Sequence, residues 1–357
     1  MNPSDLIPVP DAIPVHWGWL NFFLIFTFML HMLCMNSMLG LGIIALFNSF
    51  SQKPDALATS RQISTKLPYT IAFTVNMGVA PLLFIQVLYG QFIYTSSLLM
   101  AAYWISIILI MLIAYYSAYL YDFKFDAFGS QRMIFIAVSV ILLLVVAFFF
   151  SNNMTLMLTP AEWPRYFANP GGTLLNLSEP TLIPRYLHFV ASAMAVGGLF
   201  LAIVWKTKER KSNTSYLGNI KQSMRWFTHA TLAQFIIGSW FLMRLPENIA
   251  GMFMGQHPYA TLLFALGIIG TIISLILGFK NKVWPCTVVT LITIALMVLM
   301  RDQLRLAYLK PYFHPSMLET APQYGPFFLF LISLVIGILM IGFMLKLVFK
   351  DKQEVPS

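Results

Sequence analysis

Four histidines lie inside or at the ends of long apolar segments of this chain, and their imidazoles are the side chains best suited to chemistry. They are His31, His188, His229 and His257. An ionisable residue in a membrane-embedded segment marks a functional site by default, and a neutral imidazole without an acidic partner suits haem iron. The alternative at each position is an imidazole that only hydrogen-bonds a neighbouring helix.

His188 is the strongest of these candidates, because small residues follow it at helical spacing. Ala191, Ala195 and Gly198 fall near the His188 face of a helix, where they would leave clearance for a flat macrocycle. Close helix packing uses the same small residues, so the pattern leaves both interpretations open.

The opposite axial ligand is predicted from the depth of the remaining candidates. His257 opens a later apolar segment at the same membrane level as His188, and Met252 or Met254 offers the His/Met alternative. His229 lies about 15 residues from the outer end of its segment, roughly 22 Å along a helix, which is too deep to share that iron. We therefore predict that His188 and His257 ligate one haem.

The acidic residues and cysteines disfavour several other classes of protein. None of the 13 Asp and Glu residues lies within a predicted membrane span. Proton relays and ion-coupled transporters need carboxylates inside the bundle, so both are disfavoured. Cys34 and Cys286 form no Cys-x-x-Cys motif, which excludes covalent c-type haem and cysteine-based zinc sites.

The composition requires that these residues be positioned by membrane helices. Hydrophobic residues make up 59% of the 357 and charged residues only 10%, whereas soluble domains carry about 25% charge. Apolar stretches of about 20 residues satisfy their backbone hydrogen bonds as spanning helices. Nine such stretches are predicted, at Trp19–Phe47, Leu67–Tyr89, Ser97–Leu120, Met133–Phe150, Pro184–Trp205, Ser223–Met243, Pro258–Phe279, Val283–Met300 and Gly325–Val348.

Basic residues set the predicted orientation of the nine spans. With the amino terminus outside, sixteen of the 22 Lys and Arg residues fall on the inner side and six on the outer side. The carboxyl terminus is then cytoplasmic, and the net charge of +9 reflects topology rather than nucleic-acid binding. Residues 1–357 are interpreted as one all-α transmembrane domain, whose longer outer loops, 151–183 and 301–324, are the predicted surfaces for a partner.

Short motifs occur in order in three of the predicted spans. The first span carries His31–Leu33 followed by Leu39–Gly40. The second carries Gly78–Ala80 and then Tyr89–Gly90, and the fifth opens with His188–Ser192. In their order and spacing these motifs resemble subunit I of cytochrome bd-type quinol oxidases. The resemblance covers much of the chain at low identity, and that family also has nine spans with the amino terminus outside. It implies that His188 ligates a low-spin haem b and that His31 ligates a second haem.

Departures from that family bear on activity. Gln86 stands where the family has a Glu near its oxygen-reducing haem, and an amide in place of an acid removes a titrating group from proton delivery. Only Leu245–His257 separates the sixth and seventh spans, where the family has a long quinol-binding loop, and Arg301–Arg305 replaces its Gly-Arg-Gln-Pro-Trp motif. Oxygen reduction is therefore not carried over, and the expectation is an electron-transfer subunit of an oxidoreductase.

The resulting hypothesis is a haem b-binding, multi-pass subunit of a respiratory complex in the bacterial cytoplasmic membrane. It would pass electrons between a quinone pool and a redox partner, with one or more haems b and a quinone as cofactors. The expected partners are other membrane and periplasmic redox subunits, cytochrome c and the lipid bilayer. The candidate iron ligands are His188, His31 and His257. The alternative hypothesis is a haem-free membrane anchor that holds the subunits of an oxidoreductase.

Overall fold

Long helices account for most of the fold. A computed structural model describes residues 3–51, 53–168, 170–212 and 214–354. Within these ranges the chain forms eleven α-helices and no named strand. The helices are α1 (Trp17–Ser49), α2 (Pro54–Ser64), α3 (Leu67–Leu99), α4 (Ala101–Phe123), α5 (Arg132–Leu158), α6 (Leu182–Ser212), α7 (Leu217–Arg244), α8 (Glu247–Gly251), α9 (Pro258–Phe279), α10 (Val283–Leu309) and α11 (Tyr324–Glu354).

Eight of the described helices are long and apolar enough to cross a membrane: α1, α3, α4, α5, α6, α9, α10 and α11. Helices of this kind satisfy their backbone polar groups internally, as hydrocarbon requires. Large apolar side chains also face outward, among them Ile105, Ile108 and Leu109 of α4. These features fit a multi-pass membrane protein in contact with lipid and agree with the predicted all-α bundle.

The sixth predicted span, Ser223–Met243, lies within α7, which is not one of those eight helices. Helix α7 has 28 residues, but its polar residues keep it below the apolar content of the others. It nevertheless runs antiparallel to α6 over most of its length. Gly198 packs against Phe227 near the start of the pair, and His188 packs against Gly238 towards its other end.

Helix α3 breaks at Tyr89, the residue at which the second predicted span ends. Tyr89 has φ −135° and ψ 31°, outside the helical region, and the helix then resumes and continues to Leu99. Only Met100 separates α3 from α4. The two helices therefore meet at a sharp corner instead of the predicted loop of several residues.

Helices also continue into both segments predicted as outer loops. Helix α5 ends at Leu158 and α10 at Leu309, so the non-helical parts of 151–183 and 301–324 are shorter than predicted. The apolar run of α10 stops at Arg301, yet the helix continues and buries the next residue, Asp302, whose carboxylate pairs with Arg305 one turn later. Asp302 lies outside the predicted span Val283–Met300, so the expectation that the spans hold no acidic residue stays a prediction.

Three groups of packed apolar side chains form the interior, and the smallest of them includes Leu245 and Phe253. We refer to the Trp17 end of the bundle, where α1 begins, and to the Ser49 end, where α1 stops. The largest group lies towards the Ser49 end and includes Ile44, Leu143 and Ala193. The second lies at the Trp17 end and contains large aromatic residues, Tyr89, Phe92 and Trp163.

Candidate functional site

A cavity lined by both apolar and polar side chains lies between five helices of the bundle. Its volume is about 90 Å³, and α1, α6, α7, α9 and α10 each contribute lining residues. Along α10 the lining extends from Thr290 to Arg301, which corresponds to roughly 16 Å of helix. Further polar residues in its walls are Asn36, Ser192, Thr231, Gln234, Ser274 and Thr293. Polar groups at membrane depth are expensive and mark functional sites, so this cavity is the candidate site.

His188 of α6 lines this cavity, whereas His31 and His257 do not. Its Nε2 atom lies 3.3 Å from Nε2 of Gln234 on α7. Gly238 leaves room for the ring, because a Cβ atom there would lie 3.1 Å from Cε1 of His188. Nδ1 of His188 is buried and has no hydrogen-bond partner among the described residues. A buried imidazole with one unused nitrogen is a candidate ligand.

The Gln234 side chain controls which nitrogen of His188 is available. A carboxamide nitrogen only donates, so Nε2 of His188 accepts in this arrangement and Nδ1 carries the proton. Nε2 becomes free for a metal when Gln234 releases it. Exchange of the amide oxygen and nitrogen would instead leave a lone pair on Nδ1. One rotation of Gln234 therefore converts His188 from a hydrogen-bonded residue into a ligand.

His31 of α1 packs against α3 rather than against the cavity. Its Nδ1 atom lies 3.1 Å from the carbonyl oxygen of Thr74, so Nδ1 donates and Nε2 keeps its lone pair. Gly78 accommodates the ring, since a Cβ atom there would lie 2.9 Å from Cε1 of His31. The motif that begins at Gly78 thus has a packing explanation, and its role beside a second haem stays a prediction.

His257 is exposed and caps the first turn of α9. Its Nδ1 atom accepts a hydrogen bond from the backbone N–H of Ala260 at 3.3 Å. The structure therefore places His31, His188 and His257 at three separate positions. In the described part of the chain, no group of three or more His, Cys, Asp or Glu side chains could hold a metal ion.

The glycines after His188 are used for helix packing. A Cβ atom at Gly197 would lie 2.5 Å from the backbone carbon of Gly40, and one at Gly198 would lie 2.7 Å from the backbone nitrogen of Phe227. These contacts bring α6 close to α1 and α7, so Gly198 does not provide clearance for a macrocycle. Ala195 does line the cavity.

Methionines that were not predicted from the sequence occupy the cavity wall. Met32 of α1 and Met297 of α10 both line it, and thioether sulfur is a standard axial ligand beside histidine. Of the methionines that were predicted as alternatives, Met254 is 66% exposed, and Met252 packs in a separate apolar cluster. Since helix contacts between distant segments place Met32 and Met297 here, no local pattern could have found them.

A cluster of buried charges at the Trp17 end was also missed. Arg305 and Asp302 of α10 form an ion pair, and Arg185 of α6 is 8% exposed. Arg301 forms one end of the cavity and lies within electrostatic range of both other arginines. From the sequence alone, these arginines were interpreted only as charges on the outer side of the membrane. The spacing of Arg301, Asp302 and Arg305 along one helical face was the available signal.

The donor groups of the cavity fit a haem. A buried imidazole and thioethers are the groups that ligate haem iron, and the porphyrin itself supplies the other donors. The open volume of about 90 Å³ is below the roughly 300–1,000 Å³ of cofactor sites. A haem would therefore need a wider cavity than the one that the described helices enclose.

Comparison of the chain with protein-family models and with curated proteins finds no match.

Proposed function

We propose that this chain is a haem b-binding membrane subunit of a respiratory electron-transfer complex, related to subunit I of cytochrome bd-type quinol oxidases. It passes electrons between a quinone pool and a redox partner in the bacterial cytoplasmic membrane. One observation carries the proposal: His188, a buried imidazole with an unpartnered nitrogen, lines a cavity with both apolar and polar walls among apolar helices. Such a residue within membrane helices is functional by default.

The chain's own residues would bind and tune the cofactor. When bound, the haem iron supplies a one-electron carrier. His188 would hold the haem iron through a ring nitrogen, and Gln234 would set the orientation and protonation of that ring through their contact. His257 remains the predicted opposite ligand, with Met297 as the candidate in the cavity wall. The surrounding apolar helices exclude water and so influence the redox potential.

The proposal includes nine spans with the amino terminus outside and the carboxyl terminus in the cytoplasm. Support for the ninth span comes from α7, which lies antiparallel to α6 from Phe227 to Gly238. Because α6 is apolar enough to cross a membrane, a helix packed along it crosses the same layer. The Trp17 end of the bundle is then the outer end.

A haem-free membrane anchor is the second candidate, and it also has structural support. His188 already contacts Gln234 at 3.3 Å, and the glycines beside it serve helix packing. Under this function the cavity holds water, for which about 90 Å³ is ample, since one water needs about 10–15 Å³. Partner subunits would then dock on the exposed helix faces.

The absorption spectrum of the purified, dithionite-reduced protein separates these functions. We expect a b-type spectrum in the wild type and its loss in His188→Ala, with the variant still present in the membrane. His229→Ala is the matched control, because His229 is exposed and its Nδ1 atom lies 2.9 Å from the Arg225 carbonyl. Full haem content in His188→Ala, or no haem in the wild type, would favour the anchor.

A further inference from the structure

Two of the three arginines at the Trp17 end of the bundle lack a carboxylate partner. Among the described residues Arg305 pairs with Asp302, whereas Arg185 and Arg301 form no ion pair. Glu179 is near enough to attract Arg185 without pairing with it. A buried cation without a partner is strongly unfavourable, so the buried Arg185, with Arg301 in electrostatic range of it, forms an incomplete site.

Some hydrogen-bond donors of these arginines also lack an acceptor. The Nε atoms of Arg185 and Arg305 are buried and have no partner among the described residues. Both side chains are more than nine-tenths buried, at 8% and 6% exposure. The hydroxyl group of Tyr308, one turn along α10, is buried and unpartnered as well. Buried donors are normally satisfied, so these atoms point to an acceptor group that binds between α6 and α10.

Aromatic rings hold the guanidinium groups in place. Arg301 lies 4.2 Å over the ring of Phe28, and Arg305 lies 4.6 Å over the ring of Tyr89. Arg185 lies 5.3 Å over the ring of Phe241 on α7. Stacked arginines lose less conformational freedom on binding, and their planar groups suit two-point recognition of carboxylate or phosphate.

We propose that Arg185, Arg301 and Arg305 form a binding site for an anionic group, a carboxylate or a phosphate, at the Trp17 end of the cavity. Two sources carry this chemistry. A haem in the cavity would present its propionate carboxylates to Arg301, in which case the inference rests on the proposed function. The phosphate of a phospholipid headgroup would bind the same arginines without any haem.

Haem content and bound phospholipid, measured on the purified full-length protein, test this site. Haem is quantified from the reduced absorption spectrum and phospholipid by native mass spectrometry, for wild type, Arg301→Gln and Arg185→Gln. Arg165→Gln is the matched control, because Arg165 is a half-exposed arginine at the same end that already pairs with Glu162 at 2.9 Å. We expect the two site variants to hold the anionic ligand at least about tenfold more weakly, and the control to match wild type.

The outcomes separate this inference from the proposed function. Loss of haem from Arg301→Gln supports both the anion site and the proposed function. If the wild type holds phospholipid but no haem, and the variants lose the phospholipid, only the anion site is supported. Unchanged haem and phospholipid in both variants overturn the anion site, while the haem proposal stands. A wild type with neither ligand overturns both. If Arg301→Gln does not accumulate, Arg301→Lys replaces it, because lysine keeps the charge but lacks the planar guanidinium group. If Arg301→Lys and Arg185→Lys retain the ligand as well as wild type does, two-point recognition by the arginines is overturned.

Discussion

His188 and His257 differ in what their ring nitrogens already do. The acceptor nitrogen of His188, Nε2, faces only the side-chain amide of Gln234, which can turn away, and its buried Nδ1 atom has no described partner. His257 uses its Nδ1 atom to accept from the Ala260 N–H group. A neutral imidazole has only one acceptor nitrogen. His257 can therefore cap α9 or ligate iron, and ligation requires that the first turn of α9 lose this acceptor.

His257→Asn tests the second axial ligand without removing the helix cap, because Asn is a preferred N-cap residue. If His257 ligates the iron, we expect the low-spin b-type spectrum to disappear while thermal stability in detergent stays near that of wild type. His257→Ala, which removes the cap as well, should lower stability by about 1 kcal/mol. A wild-type spectrum in His257→Asn would leave His257 as a cap only and make Met297, which lines the cavity, the next ligand to test.

The crossing of α1 and α6 is the closest helix contact near the site. A Cβ atom at Gly40 would lie 1.9 Å from the carbonyl oxygen of Ala193. Small residues let membrane helices approach until backbone atoms touch, and this contact replaces the hydrophobic driving force that lipid lacks. The crossing lies about two turns from His188 along α6 and so positions that residue relative to α1.

Gly197→Ala should separate these two helices. Its Cβ atom would meet only backbone atoms of Gly40 and Leu41, at 2.5–2.8 Å, and backbone cannot move aside as a flexible side chain can. Overpacking of this kind costs about 1–3 kcal/mol, which outweighs the helix propensity that alanine gains over glycine, up to about 1 kcal/mol. We expect a lower unfolding temperature in detergent.

Gly342→Ala is the control for this change, since nothing lies within 4 Å of a Cβ atom at Gly342 of α11. This variant should unfold at the wild-type temperature or slightly above it. Equal unfolding temperatures for Gly197→Ala and Gly342→Ala would show that the α1–α6 crossing tolerates a methyl group and that the packing described for Gly197 is wrong.

The topology of the whole bundle depends on one helix. With α7 in the membrane the chain crosses nine times and its termini lie on opposite sides, whereas without α7 the eight apolar helices leave both termini on one side. The contacts of α7 with α6 run from Phe227 to Gly238. Thr228, Thr231 and Gln234 face protein or the cavity, whereas Arg225, His229 and Ser239 are exposed. Composition alone underrates a helix of which some polar side chains are enclosed in this way.

Topology reporters test this count directly. We expect fusions after Ser215 and after Ser357 to be cytoplasmic, and fusions near Pro170 and after Gln256 to be exported; Ser357 itself lies outside the described residues. The basic residues on the inner side provide the physical reason. Reporters at 215 and 256 on the same side of the membrane would contradict a spanning α7, and an exported reporter after Ser357 would contradict nine spans.

The sequence by itself located the eight helices that are apolar enough to cross a membrane, because hydropathy and end signals are local. Helix α9 has the bounds predicted for it, Pro258–Phe279, since proline begins it and the charged Lys280 follows it. Local patterns also selected His188 as the residue to examine. They could not fix the ends of α5 and α10, where polar residues stay helical because their partners lie in distant segments.

Only the tertiary structure decided what the polar residues do. It enclosed His188 and Gln234 in one cavity although they lie on different helices, and it assigned Gly198 to packing instead of ligand clearance. It also showed that Arg185, predicted only as a topology charge, is buried, and that Arg301 lines the cavity within electrostatic range of it. Hydropathy reports each residue's preference for lipid or water. The contacts that satisfy a buried polar group, or leave it unsatisfied, come from chain segments far away in sequence, so they exist only in the packed bundle.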